Sequence, residues 1–354
     1  CDGQRGTDFV MRKEVLAIGC ALMVFCGCGK NNAAQHYESG WTAMEKKDYT
    51  TAVNEFQQVI DQNSRLAESY RAEGIAYYSE QAYPEAIAAF SRSLNNMDDP
   101  DKEFKKDVQF YLAQARMDYG EIDKAIEVYS EILKAGEDEQ AFFLRGKAYI
   151  SMEDYKNAEK DFQRALEGCE DYNLYINIYQ IYVDHNKAVD GDAYLKMALE
   201  LEPQDGEDCY HRGRIYEYEK NYEAARDELK TAMEQGYEDA MLLLGRVYLE
   251  MEDPASARSM YQEYLQKSEQ GAKAYNGLAM CDIYDGAYDS ALENIAQGLK
   301  ENSKEDEQGL LYNEIVAYEY KRDFATAKEK MKAYLEQYPE DEAALRENEF
   351  LSTR

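Results

Sequence analysis

The side chains able to do covalent or acid–base chemistry are few and scattered. The histidines are His36, His185 and His211, far apart in the chain, and none stands beside a Cys or Asp in the arrangement that activates a nucleophile. His211 is two residues from Cys209, a spacing that sends the two side chains to different faces of a helix. Cys169, Cys209 and Cys281 form no CxxC pair and cannot all pair with one another. They read as small buried hydrophobes, and no disulfide framework is expected. The sequence holds no Gly-rich phosphate loop, no HExxH and no acidic calcium loop. Carboxylates abound, but runs such as Glu137-Asp138-Glu139 and Glu305-Asp306-Glu307 read as solvated loops. The expectation is a chain with no catalytic residue, no metal site and no cofactor.

One further thiol is placed for a different chemistry. Met11-Arg12-Lys13-Glu14 opens a basic start, Val15 to Phe25 is apolar, and Cys26-Gly27-Cys28-Gly29-Lys30 follows. A basic start, a short apolar run and a small residue before a cut make a secretory signal. The run is too short to span a bilayer, which takes about 20 residues. The stretch ending at Cys28 resembles the lipobox of bacterial lipoproteins. In that family the signal is cut before a Cys whose thiol receives a diacylglycerol. Phe25 and Cys26 depart from the usual aliphatic and small residues there. The resemblance implies a signal peptide over 11–27, lipidation of Cys28 and a tether over 28–32. Residues 1–10 read as upstream sequence. Cys28-Gly29-Lys30 is similar to lipoprotein starts common in Gram-positive bacteria, which implies export to the outer face of the cytoplasmic membrane. A periplasmic or outer-membrane assembly lipoprotein of a Gram-negative cell is the alternative.

The formal net charge of −31 repels phosphate backbones and sets nucleic acid aside as a partner. It also opposes contact with anionic lipid, so membrane attachment has to come from the lipid on Cys28. Tyr is abundant at 32 residues, against 11 Phe and 1 Trp. Tyrosine suits half-buried positions with the ring packed and the hydroxyl wet, as a thin core with much surface requires.

These residues must be positioned by a repeating element. An alanine recurs at Ala52, Ala86, Ala125, Ala158, Ala225, Ala257, Ala291 and Ala327, at a period of about 34 residues. Gly191 stands where one copy is missing. Four residues after each comes a large apolar side chain: Phe56, Phe90, Tyr129, Phe162, Leu195, Leu229, Tyr261, Ile295 and Met331. Spacing of four puts both on one helical face. Upstream, a small residue recurs at Gly40, Gly74, Ala113, Gly146, Gly213, Gly245 and Ala279. Two small residues at fixed points of two helices let them cross closely.

The chain here resembles the tetratricopeptide repeat (TPR) family, with units starting near residues 33, 67, 106, 139, 172, 206, 238, 272 and 308. Pro203 and Pro339 fall where that family often has proline. The resemblance covers about residues 33–341 and implies an all-α fold, a right-handed α-solenoid of about nine helix-turn-helix units. Residues 342–354 are expected to form a capping helix and tail, with Ala343, Ala344 and Leu345 turned inward. The fifth unit departs from the pattern at Tyr179 and Gly191. It is expected to cross more widely, with Val189 to Asp192 looping out.

The resemblance further implies that the first helix of each unit lines a concave groove. The groove positions hold Arg71, Phe143, Lys147, Tyr210, Arg214, Leu242 and Arg246. Arg214 and Arg246 occupy the same position in adjacent units, so their guanidinium groups are expected along one wall. Such a mixed basic and apolar groove suits a protein or peptide segment carrying a few carboxylates. No unit has both the Lys and the Asn that some family members use to grip a C-terminal carboxylate. The expected function is a non-enzymatic, lipid-anchored scaffold at the cell envelope. A small-ligand or glycan binder is the alternative of another class.

Overall fold

The computed structural model describes residues 32–97, 101–268 and 271–354. The signal peptide, Cys28 and most of its tether lie outside the described residues. Within them the chain is all-α, with nineteen helices and no strand. The described residues divide into two compact units, one up to residue 194 and one from 195 to 354.

The first unit pairs α1 (Asn32–Glu45) with α2 (Tyr49–Asp61), α3 (Leu66–Ser79) with α4 (Tyr83–Asn95), and α5 (Lys102–Tyr119) with α6 (Ile122–Ala135). It continues with α7 (Glu139–Ser151) and α8 (Tyr155–Ala165), then α9 (Tyr172–Asp184) and the start of α10 (Ala188–Leu199). The second unit pairs α11 (Gly206–Tyr218) with α12 (Tyr222–Glu234), and α13 (Ala240–Glu250) with α14 (Pro254–Lys267). It then pairs α15 (Ala272–Tyr284) with α16 (Tyr288–Lys300) and α17 (Lys304–Tyr320) with α18 (Phe324–Gln337), and ends on the single helix α19 (Glu342–Ser352). Within each unit first helices also pack on the next first helix, as α7 does on α9 and α13 on α15. This is α-solenoid packing.

Two local devices shape the pairs. The first is the turn between its helices, where the residue before the second helix's N-cap is left-handed. Lys47, Gln81, Glu153, Asn186, Lys220, Glu252 and Arg322 take φ of 58–63° there, and Gly120 and Gly286 take 87° and 75°. Capping follows at once: Asp48, Asp154, Asn221, Asp253 and Asp323 accept a hydrogen bond from a backbone N–H of the first turn. The second device is close approach. A Cβ on Gly40, Gly74 or Gly146 would come within 2.5, 2.6 or 2.7 Å of Phe56, Phe90 or Phe162. Those three rings are fully buried.

The fifth pair reverses this arrangement rather than loosening. Residues 189–192 lie inside α10 and do not loop out. A Cβ on Gly191 would sit 3.1 Å from the Tyr179 ring and 3.0 Å from Tyr182 Cβ. Leu195 stays on the second helix, but here the close contact runs from Tyr179 on the first helix to Gly191 on the second, so the crossing stays close.

Half-buried arginines tie pairs together. Arg145 on α7 holds Asp161 on α8 through two hydrogen bonds of 2.7 and 2.8 Å and reaches Ser130 on α6 at 2.9 Å. Arg212 on α11 holds Glu228 at 2.8 Å and donates to the Leu199 and Leu201 carbonyls. At the equivalent point of α3 stands Glu73, 3 % exposed, with Oε2 lacking a hydrogen-bond partner. Burial pushes its pKa up, with Arg92 opposing and Asp61 reinforcing.

Three further expectations are corrected. Glu305, Asp306 and Glu307 form the first turn of α17 rather than a loop, where carboxylates meet the positive end of the helix dipole. Asp138 caps α7 by accepting from the Ala141 N–H. On α19 the buried residues are Ala344 and Leu351, joining Ile315, Met331 and Tyr334. Ala343 and Leu345 point outward, because each is turned about 100° around the helix from Ala344, whose face is completed by Leu351. Cys209 and Cys281 are buried and Cys169 is half-buried; all three thiols are free.

Candidate functional site

On a first helix, positions i, i+4 and i+7 or i+8 share a face. In the first unit that face carries Arg71, Ile75 and Tyr78 on α3, and Phe143 and Lys147 on α7. Arg71 is committed within the protein: its Nε lies 2.5 Å from Asp107 Oδ2 on α5, and its guanidinium stands 5.3 Å from the Tyr111 ring centroid. Phe143 is 4 % exposed and packs against Phe162, which leaves little of it to a partner. Lys147 is half-buried, and no carboxylate is in ion-pair range of it among the described residues.

In the second unit the face carries Tyr210, Arg214 and Glu217 on α11, and Leu242 and Arg246 on α13. The Tyr210 ring packs 4.9 Å from Tyr237 and lies under the Arg214 guanidinium at 5.9 Å. Arg214 Nη1 also lies 3.4 Å from His211 Nδ1. Arg246 reaches back to α11 and clamps Glu217 through Nε at 2.6 Å and Nη2 at 2.7 Å. Burial alone would lower the Arg246 pKa, but the hydrogen bond and charge of Glu217 outweigh it and hold it above its ordinary value. The clamp uses one edge of the guanidinium; its side chain is still 56 % exposed, against 15 % for Glu217. Leu242 is half-buried beside it. The structure thus brings Tyr210, Arg214, Leu242 and Arg246 onto two neighbouring helices.

Sequence reading missed the carboxylates that answer these arginines. Glu217 is 29 residues from Arg246 and Asp107 is 36 from Arg71, so both partners sit about one period away. That spacing was the available signal. The same face continues onto α15 and α17 as Met280, Tyr284 and Tyr320, exposed by 42, 55 and 60 %. Among the described residues no group of three or more His, Cys, Asp or Glu could hold a metal ion. No helix among them is long and apolar enough to cross a membrane.

A model of the tetratricopeptide repeat matches residues 37–101, 210–272 and 242–307, and a second model of the same repeat matches 139–171. Together they take in more than half of the chain. No curated protein matches it. Among solved structures, a tetratricopeptide repeat protein from Parabacteroides merdae is 16 % identical, over 80 % of this chain and 99 % of that one, with a TM-score of 0.45. Yeast Tom70 is 15 % identical over 87 % of this chain and 78 % of its own, at 0.47. YrrB, a TPR protein with an unusual peptide-binding site, is 26 % identical over 53 % of this chain and 97 % of its own, at 0.35. The repeat family is in general one of protein-interaction scaffolds, and no enzyme family is indicated. With its period, its helix pairs and the two repeat-family models in agreement, the chain belongs to the tetratricopeptide repeat family.

Proposed function

We propose that this scaffold is exported, anchored to a membrane by lipid on Cys28, and binds a partner segment bearing carboxylates on the face of α11 and α13. The observation that carries the binding half is Arg246. Clamped on Glu217, its guanidinium is already oriented, so little side-chain entropy remains to be lost when a second carboxylate arrives. Its outer edge stays open for that carboxylate. Tyr210 and Leu242 supply apolar contact alongside. Arg214 is the second cation of the site, and Lys147 on α7 is a separate cation of the first unit.

The anchoring half rests on the residues around Cys28 and on their likeness to a lipobox. In the cell the array then stands at the envelope, where it organises partner proteins.

Two experiments test the halves separately. Labelling with a radioactive fatty acid in a bacterial host should mark wild type and not Cys28→Ala, and the variant should leave the membrane fraction. Equal labelling of both removes the anchor. For binding, wild type should retain peptides rich in Glu and Asp, and Arg246→Glu should lose them with helicity unchanged. Equal retention by both would move the site elsewhere.

A further inference from the structure

Three of the exposed apolar side chains of the second unit, Met280, Tyr284 and Tyr320, stand at one end of the face just described. Met280 and Tyr284 stand one turn apart on α15, and Tyr320 lies on α17, the next first helix. Tyr288, at the start of α16, stacks on Tyr320 with ring centroids 6.0 Å apart and planes 20° apart. Exposed tyrosine faces are electron-rich and accept cations as readily as apolar stems.

Beside Tyr320, Glu319 meets the carboxyl of Glu347 across from α19. Glu319 Oε1 is buried and has no hydrogen-bond partner. Elsewhere on this face a glutamate at the same point of its unit is answered: Glu217 has Arg246. At Glu319 the facing residue is another carboxyl, and no cation of the chain comes into ion-pair range among the described residues. The neighbouring charges are engaged otherwise. Arg346 lies 3.6 Å from Glu342, Lys330 pairs with Glu314 at 2.8 Å, and Lys321 pairs with Asp289.

We infer that the α15–α17–α19 end of the face takes a basic side chain of a protein partner, its stem on the tyrosines and its charge on Glu319. This rests on the reading above and adds a second pole to it. The cation-bearing helices α11 and α13 select carboxylates, and the far end selects Lys or Arg. First helices pack about 10 Å apart, so Arg246 on α13 and Glu319 on α17 are about 20 Å apart. An extended segment covers that in about six residues. The partner segment therefore carries its basic residue about six residues from its acidic one.

Proton linkage follows from the geometry. Burial, and then the charge and hydrogen bond of Glu347, push Glu319 up to about 7. Tyr312 on α17, Glu347 and Arg346 on α19 and Asp341 at its cap are the other titratable and charged groups around the pair. An arriving cation needs Glu319 ionised, so its binding tightens as pH rises. From pH 6 to pH 8 the ionised share climbs from about one tenth to about nine tenths, or roughly tenfold in affinity.

The test uses the full chain and labelled peptides followed by fluorescence anisotropy. One peptide carries paired lysines beside leucines, one carries paired glutamates, and one carries both groups with the predicted spacing. Wild type should bind the lysine peptide roughly tenfold more tightly at pH 8 than at pH 6. Glu319→Gln should abolish that difference and weaken binding at pH 8 by roughly tenfold. Tyr284→Ser with Tyr320→Ser should weaken it at both pH values. General attraction of cations to this acidic protein would survive Glu319→Gln, which removes one carboxylate of 71 acidic residues. Lysine-peptide binding that is absent, or indifferent to Glu319 and pH, overturns the inference. Loss of only the glutamate peptide's binding would instead overturn the acidic-partner reading and leave this one standing.

Discussion

Gly245→Ala is a sharp perturbation of the packing. The added Cβ would lie 2.6 Å from Cζ of the Tyr261 ring, and on the ring's other side a Cβ on Gly277 would lie at 2.3 Å. The ring is 4 % exposed and held between α13 and α15, so it cannot retreat. Overpacking of this kind costs about 1–3 kcal/mol, against about 1 kcal/mol gained from alanine's helix propensity. A net loss of up to about 2 kcal/mol multiplies amide exchange of α13 and α15 by up to about 30-fold. It should lower the thermal midpoint by up to about 6 °C. Exchange by mass spectrometry is the better readout, because repeat arrays need not unfold in one step. In a Tyr261→Ala background the same substitution has no ring to meet and should be neutral or slightly stabilising. Gly136→Ala is the control, since a Cβ there meets nothing within 4 Å. Equal cost of Gly245→Ala with and without the Tyr261 ring would refute the reasoning.

Three other outcomes are expected. Glu73→Gln should stabilise the chain at neutral pH, because burial disfavours the charged carboxylate. A carboxyl whose folded pKa is raised contributes fully below its unfolded value near 4.5 and loses that contribution as pH rises. The gain over wild type in denaturant titrations should therefore grow from pH 4.5 upward, and a gain that shrinks would contradict the burial argument. Lys220→Gly should raise the thermal midpoint. A left-handed residue with a Cβ costs about 1–2 kcal/mol, of which glycine's extra unfolded-chain freedom takes back about 0.4–1 kcal/mol. Among Cys169, Cys209 and Cys281, maleimide labelling of the folded chain should mark Cys169 first. Cys281 should lag, because burial holds its thiol up at about 11 and only the thiolate reacts.

The fold was legible because its signals are steric and local. Ala52 and Phe56, or Gly146 and Phe162, betray a helix crossing by size alone, and the size pattern repeats. The fifth pair misled for the same reason: Tyr179 and Gly191 each break the pattern, and only together do they restore the contact. The inter-helix turns gave no hint, since left-handed positions occupied by Lys47, Gln81 and Glu252 look like ordinary surface. The face was readable as positions but not as charges. Arg71 and Arg246 are visible in the sequence, while Asp107 and Glu217 become their partners only when successive units stack. Glu319 escaped notice because its environment comes from α19, beyond the last repeat.

The exchange between Tyr179 and Gly191 also limits how this gene can be rearranged. Arrays grow and shrink by crossing-over between similar copies, and a crossover inside a unit joins the first helix of one copy to the second helix of another. Across most of this chain such hybrids keep a small residue against a large one. A crossover that kept Tyr179 but imported a second helix with alanine at the site of Gly191 would drive a methyl group toward that tyrosine ring. Recombinants with a junction between residues 180 and 190 should therefore be recovered less often as folded protein than those with the equivalent junction in neighbouring units.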